Sequence, residues 1–90
     1  MAKRGKLEII KDILLIIQKN HNSIRPTPLI RKSNLSSKRF KQYYLDLRTK
    51  GFIREKEISK NNRTIFLTEK GFKFLEKYST IVSFIDEFDL

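Results

Sequence analysis

The ninety residues read as a mainly α domain with one small β-hairpin, an α+β chain. Three observations carry that expectation. Apolar residues recur at three- and four-residue steps in separated stretches, bounded by capping and turn residues. Two short runs rich in β-branched and aromatic side chains flank the polar segment Lys60-Asn61-Asn62-Arg63. The three glycines and two prolines fall mostly at element ends, where they punctuate rather than interrupt.

The first helix is expected at about Lys6 to Asn20, where Leu7, Ile10, Ile13, Leu14 and Ile17 share a face. At 100° per residue, Ile9 and Ile16 widen the apolar arc to roughly half the circumference, more than a small domain usually buries. Asn20-His21-Asn22-Ser23 reads as a turn, and Pro26 pushes Ile24-Arg25 toward extended backbone. Thr27 as N-cap with Pro28 at the first helical position predicts a short helix from Pro28 to Lys32 or Ser33. Ser33-Asn34-Leu35-Ser36 is a tight connection, with Ser36 capping a third helix over Ser37 to Lys50 that Gly51 terminates. Phe52 to Ile58 and Thr64 to Thr68 are the expected strands. Thr68 then caps a last helix reaching about Phe88, with Phe72, Leu75, Tyr78, Ile81, Val82, Ile85 and Phe88 in helical register.

Helix, extended piece, short helix, turn, capped helix, hairpin and further helix is the element order of a winged helix-turn-helix with a long C-terminal helix. In the third helix Phe40, Tyr43, Tyr44 and Leu47 form the packed face. The opposite face is centred on Lys38, Gln42, Leu45 and Thr49, flanked by Lys41, Arg48, Arg39 and Asp46. A helix with that face outward fits a major groove about 12 Å wide. Candidate DNA contacts are therefore Ser37, Lys38, Arg39, Lys41, Gln42 and Arg48 on this helix. Arg31 and Lys32 join them from the short helix, and Lys60, Asn61, Asn62 and Arg63 from the hairpin, where they can meet phosphates or a minor groove.

Charge supports an acidic partner. Twenty Lys+Arg against ten Asp+Glu give a net charge of +10. The excess is segregated: residues 1–63 carry 17 basic and 5 acidic side chains, residues 64–90 carry 3 and 5. Cysteine is absent and His21 is the single histidine, which argues against a metal centre or histidine-based acid/base catalysis. No Gly-rich phosphate loop occurs, so neither an enzyme nor a cofactor is expected. The longest aliphatic run, Ile13 to Ile17, is far short of the roughly 20 residues that span a bilayer. The chain thus reads as cytoplasmic and nucleoid-associated, with no membrane partner.

Several segments also carry a family likeness: Pro28-Leu29-Ile30-Arg31-Lys32-Ser33-Asn34-Leu35-Ser36, then Phe40, Tyr43 and Leu47, then Lys50-Gly51-Phe52-Ile53 and Leu67-Thr68-Glu69-Lys70-Gly71. With Lys6-Leu7-Glu8-Ile9-Ile10 and Ile13-Leu14 at the start, the chain resembles the small archaeal winged-helix DNA-binding proteins whose last helix pairs as an antiparallel coiled coil. The resemblance implies a homodimeric transcriptional regulator or chromatin protein. Arg48-Thr49 depart from it, standing where that family tends to carry more apolar or acidic residues.

The last helix argues for self-association on its own. About 20 residues make a rod of roughly 30 Å, which overhangs a domain of this size. Division into a DNA-binding domain, 1–67, and a dimerisation helix, 68–90, follows. Leu75, Tyr78, Ile81, Val82, Ile85 and Phe88 are the expected dimer interface, joined by the spare Ile9 and Ile16 flank. Intramolecular packing of that helix is the alternative. A winged-helix protein-interaction module without DNA readout is the alternative function, favoured by Leu45 on the exposed face.

Overall fold

In a computed structural model, which describes residues 4–90, the chain forms α1 (Lys6–Lys19), α2 (Pro26–Ser33), α3 (Ser37–Thr49), β1 (Ile53–Ser59), β2 (Asn62–Leu67) and α4 (Glu69–Glu87). This is the expected element order. Residues 1–3 of the basic start lie outside the described residues.

The core is aliphatic and shared by nearly every element. Ile9, Ile10, Ile13, Leu14 and Ile17 of α1 meet Leu29 of α2, Phe40 and Leu47 of α3, and Ile53, Ile65 and Leu67 of the hairpin. Ile24 closes it from the loop, exchanging both backbone hydrogen bonds with Ile65, at 3.1 and 2.7 Å. That single bridge lays the extended piece before Pro26 beside β2 as a minimal third strand. Ile9 is therefore not a spare flank: it is 2% exposed and belongs to the core of its own chain. Ile16 is half-buried against the same core, and Leu7, expected on the packed side, is exposed at the first turn of α1.

Two boundaries differ from expectation for local reasons. The second helix starts at Pro26, with Arg25 as its N-cap residue and the Arg25 carbonyl accepting from Leu29 N at 3.2 Å. Proline fixes φ and lacks an N–H that the first helical position does not use, so Pro26 itself opens the helix and Thr27 is not a cap. In the hairpin, Ser59 pairs with Asn62, which makes Lys60-Asn61 the two-residue turn, with Asn61 in the left-handed region at φ 62°. The pairing register shifts between Glu57 and Ser59, a bulge that leaves Ile58 out of the ladder.

The caps of α3 and α4 are as expected. Ser36 Oγ accepts from Arg39 N and Thr68 Oγ1 accepts from Gly71 N, each at 3.2 Å. Between these helices the chain makes a clamp that accounts for the Lys-Gly-Phe and Leu-Thr-Glu-Lys-Gly segments. Gly51 turns at φ 81°, Thr68 Oγ1 donates to its carbonyl at 2.6 Å, and Lys70 Nζ donates to the Lys50 carbonyl at 2.7 Å. Lys70 also lies 4.7 Å from the centre of the Phe52 ring, so one ammonium caps the C-terminus of α3 and covers an aromatic face. Gly71 lets the Phe52 carbonyl oxygen approach to where a side chain would begin: a Cβ there would sit 2.4 Å from it.

The first half of α4 packs on the domain, with Phe74 and Leu75 against the core and Tyr78 below Lys11, 5.7 Å from its ring centre. Beyond Tyr78 the helix runs into solvent. Ile81, Val82, Phe84, Ile85 and Phe88 are all exposed.

Candidate nucleic-acid interface

The third helix presents its sides as its sequence requires. Phe40 and Leu47 are buried, and Tyr43 and Tyr44 pack half-buried against the core, with Tyr44 stacked on Phe40 at 5.7 Å. Ser37, Lys38, Arg39, Lys41, Gln42, Leu45, Arg48 and Thr49 are exposed on the outer side. The N–H groups opening this helix lack intrahelical acceptors, and its positive dipole end coincides with Lys38 and Arg39. Ser36 occupies one of those donors through its cap. Upstream, Arg31 and Lys32 lie exposed in the last turn of α2, and Asn34, left-handed at φ 59°, ends that helix and turns the chain into α3. Asparagine tolerates this conformation because its short polar side chain bonds locally.

The hairpin lies against the C-terminal half of α3, and one acid defines the junction. Glu55 of β1 accepts from Arg63 of β2 at 3.2 Å and pairs with Arg48 of α3 at 3.7 Å, both on Oε1. Its Oε2 accepts from the Tyr44 hydroxyl. Burial, reinforced by the Glu55 carboxylate, pushes the Tyr44 phenol well above the ordinary range, so it stays a protonated donor. The Arg48 cation of α3 and the Arg63 cation of the hairpin are thereby drawn to the same point. Arg63, expected at the hairpin tip, is a strand residue on this junction, while Lys60 and Asn61 form the exposed tip and Asn62 begins β2.

Among the candidate contacts the structure thus groups Ser37, Lys38, Arg39, Lys41 and Gln42 at one end of α3, and Arg48 with Arg63 at the other. Arg31 and Lys32 sit one connection upstream, and Lys60 with Asn61 at the end of the wing. Two residues of this surface were not legible beforehand. In the sequence Glu55 is one residue of the expected strand Phe52 to Ile58, since no spacing reveals a partner seven residues back on α3 and another across the hairpin. Ile58 looked like an ordinary strand residue, but the bulge leaves it 63% exposed beside the tip.

A second cluster ties α1 to the end of α2. Arg4 donates to Asp12 at 3.0 Å and to the Ser33 carbonyl at 3.1 Å, and Lys11 pairs with Asp12 at 2.6 Å. Burial works to raise the Asp12 pKa, but the Lys11 and Arg4 bonds outweigh it and hold the carboxyl below its ordinary value. The Asp12 hydrogen bond in turn raises the Lys11 ammonium. Among the described residues no group of histidine, cysteine or carboxylate side chains is placed to hold a metal ion, and no helix is long and apolar enough to cross a membrane.

The family model described as winged helix-turn-helix matches residues 3–85. The chain belongs to this family. Solved structures of similar shape include Sso10a-2, a DNA-binding protein from Sulfolobus solfataricus, with a TM-score of 0.75 and 20% identity over 94% of this chain and 85% of that one. F93 from STIV, described as a winged-helix DNA-binding protein, superposes with a TM-score of 0.73 and 21% identity, covering 89% and 91% of the two chains. F-93 from SSV1 covers 96% of this chain and 99% of its own at 22% identity, with a TM-score of 0.65. No curated protein sequence matches significantly. At these identities the likeness is one of fold.

Proposed function

We propose that this winged-helix chain binds double-stranded DNA as a homodimer and serves as a transcriptional regulator or nucleoid protein. The observation that carries the reading is the outer face of α3. Its cations and Gln42 are exposed on a capped helix whose other side is anchored in the core, and the wing lies alongside through Arg48, Glu55 and Arg63. The N-terminal half of α3 enters the major groove, where Lys38 or Arg39 can meet guanine acceptors and Gln42 an adenine edge. Arg31, Lys32 and Arg48 take flanking phosphates, while Lys60, Asn61, Asn62 and Arg63 follow the backbone or minor groove. The description of similar folds as DNA-binding proteins supports this assignment.

Dimerisation rests on the distal half of α4. Ile81, Val82, Ile85 and Phe88 are exposed, and burying each contributes roughly 1.5 to 3 kcal/mol. A second copy offers the same face, and a two-fold seam there is self-complementary. Leu75 and Tyr78, half-buried, form the inner edge of that seam, and the α1 residue beside them and Val82 is Leu15, since Ile9 is buried in the core and Ile16 lies next to Lys32 and Ser33 at the end of α2. Asp86, Glu87 and Asp89 keep this end away from DNA. The reading places the protein on intracellular DNA and includes no catalytic step.

Light scattering should give twice the mass of one chain. Gel shifts on a random duplex at two salt concentrations should show log K falling by about 0.9 per neutralised phosphate for each tenfold rise in salt. Salt-independent affinity would refute the DNA reading, and a monomer at micromolar concentration would refute the dimer. Leu45, 49% exposed within the outer face, favours a second reading in which a protein partner covers α3. Duplex binding that survives Lys38→Ala and Arg39→Ala unchanged would point there.

A further inference from the structure

The basic surface contains one acid that contact with a polyanion does not call for. Glu55 is only 15% exposed, and its two oxygens are shared among Arg63, Arg48 and the Tyr44 hydroxyl. Tyr44 is stacked on Phe40, which is itself in the core, so the carboxylate is anchored to the body of the domain rather than to a mobile side chain. The guanidinium side chains stay 47% and 59% exposed, open to a further acceptor from solvent. Other acids nearby are placed differently. Asp46 pairs with Lys50 at 3.2 Å, and Glu57, opposite Arg63 in the hairpin ladder, is exposed and outside the ion pairs among the described residues.

We propose that Glu55 is the positioning residue of the DNA face, holding Arg48 of α3 and Arg63 of the wing at one fixed junction and withholding them from phosphates that do not lie across it. The inference rests on the DNA-binding reading above. One carboxylate between two guanidinium groups leaves a single net positive charge where two would otherwise stand. It also fixes the directions in which the free edges of the guanidinium groups point. A duplex seated in the groove of helix and wing can meet those edges while the carboxylate stays in place. Any other arrangement must first break the arginine–glutamate contacts to gain both cations. Glu55 therefore lowers affinity for DNA in general while preserving it for the seated geometry.

The test is Glu55→Gln on the full chain with a random duplex, read as the slope of log K against log salt. Gln keeps the shape and an acceptor for Tyr44 but frees the arginines. Each one that turns to phosphate should steepen the slope by about 0.9, worth roughly eight-fold in affinity at 0.1 M salt relative to 1 M. Glu57→Gln removes the same unit charge from the same strand and should leave the slope near wild type. In an Arg48→Ala/Arg63→Ala background the gain from Glu55→Gln should vanish. A slope for Glu55→Gln equal to that for Glu57→Gln, or a gain that persists without the arginines, would overturn the proposal. Wild-type protein without salt-dependent duplex binding would instead refute the DNA reading beneath it. Should Glu55→Gln fail to fold by circular dichroism, Glu55→Asp carries the test: the charge is kept, the reach falls short by one methylene, and the slope should again steepen.

Discussion

Replacing Gly71 by alanine sets two effects of opposite sign against each other, and the structure decides between them. Position 71 is the third residue of α4, inside its first turn, where alanine is favoured over glycine by about 0.8 to 1.0 kcal/mol from helix propensity alone. Against this, the new Cβ would lie 2.4 Å from the Phe52 carbonyl oxygen and 3.4 Å from two Leu67 side-chain carbons. The oxygen is backbone, not the far end of a flexible side chain. It accepts from Thr68 N at 3.1 Å, and the neighbouring Gly51 carbonyl is tied to Thr68 Oγ1 at 2.6 Å. Relief would need close to an ångström of separation between α4 and the start of the hairpin. Overpacking typically costs 1 to 3 kcal/mol, and disturbing the Thr68 cap about 1 more. The net expectation is a loss of roughly 1 to 3 kcal/mol despite the better helix former. For a domain this size that lowers Tm by about 5 to 20 °C, read by circular dichroism at fixed protein concentration. A Tm equal to or above wild type would refute the claim that close approach at Gly71 locks the wing to α4.

Other expectations follow from single contacts. Ser36→Ala removes the acceptor for Arg39 N and should cost about 1 kcal/mol in thermal or urea unfolding, with an unchanged helical spectrum. Asp12, held below its ordinary value of 3.8, contributes stability that is complete above that value and lost as pH falls through the lower folded one. Acid unfolding of Asp12→Asn should accordingly be less steep than wild type below about pH 4, and parallel curves would exclude the Lys11–Asp12–Arg4 cluster as a source of acid sensitivity. Ile85→Asp with Phe88→Asp should halve the scattering mass while leaving the far-ultraviolet spectrum of the domain in place. Lys38→Ala and Arg39→Ala should each reduce the salt slope of duplex binding by about 0.9 if the side chain neutralises a phosphate, and leave it unchanged if it reads a base.

Most of the fold is legible in the sequence because its signals are local. Ser36 and Thr68 announce helix starts through a side-chain oxygen that needs only the next turn, and the aliphatic spacing of α1 needs only its own helix. Expectations fail where a choice depends on distant partners. Thr27 and Pro28 make a plausible helix start by the same local rules, but Pro26 fits the first position equally well and the Ile24–Ile65 bridge fixes the chain immediately before it. Ile9 looks superfluous on a helical wheel because the wheel counts faces and not neighbours: α1 packs against α2, α4 and β2 at once, so its buried arc is wide. On the candidate interface, the exposed cations of α3 follow from the packed face opposite them. The Glu55 junction depends on a register between two strands and a helix, and on a residue that composition would set against DNA binding.

The clamp between Gly51 and Gly71 bears on how such a protein would measure DNA. Lys70 and Thr68, in and before the first turn of α4, hold carbonyls at the end of α3, while Leu75 and Tyr78 pack the same helix onto the domain. The element proposed to read DNA and the helix proposed to pair are therefore joined by direct contacts, with no linker between them to absorb rotation. In a homodimer built on Ile81, Val82, Ile85 and Phe88, the crossing of the two α4 helices would fix the separation of the two α3 helices. Half-sites one helical turn apart, about 34 Å, are met only at certain crossings. A change deep in the α4 seam should thus alter the preferred half-site spacing without touching a residue of the DNA face. A glycine-rich insertion between Tyr78 and Ile81 should broaden that preference by breaking the rigid path. Selection of duplexes with varied spacer lengths would read this directly, and an unchanged preference after the insertion would show that α4 does not set the spacing.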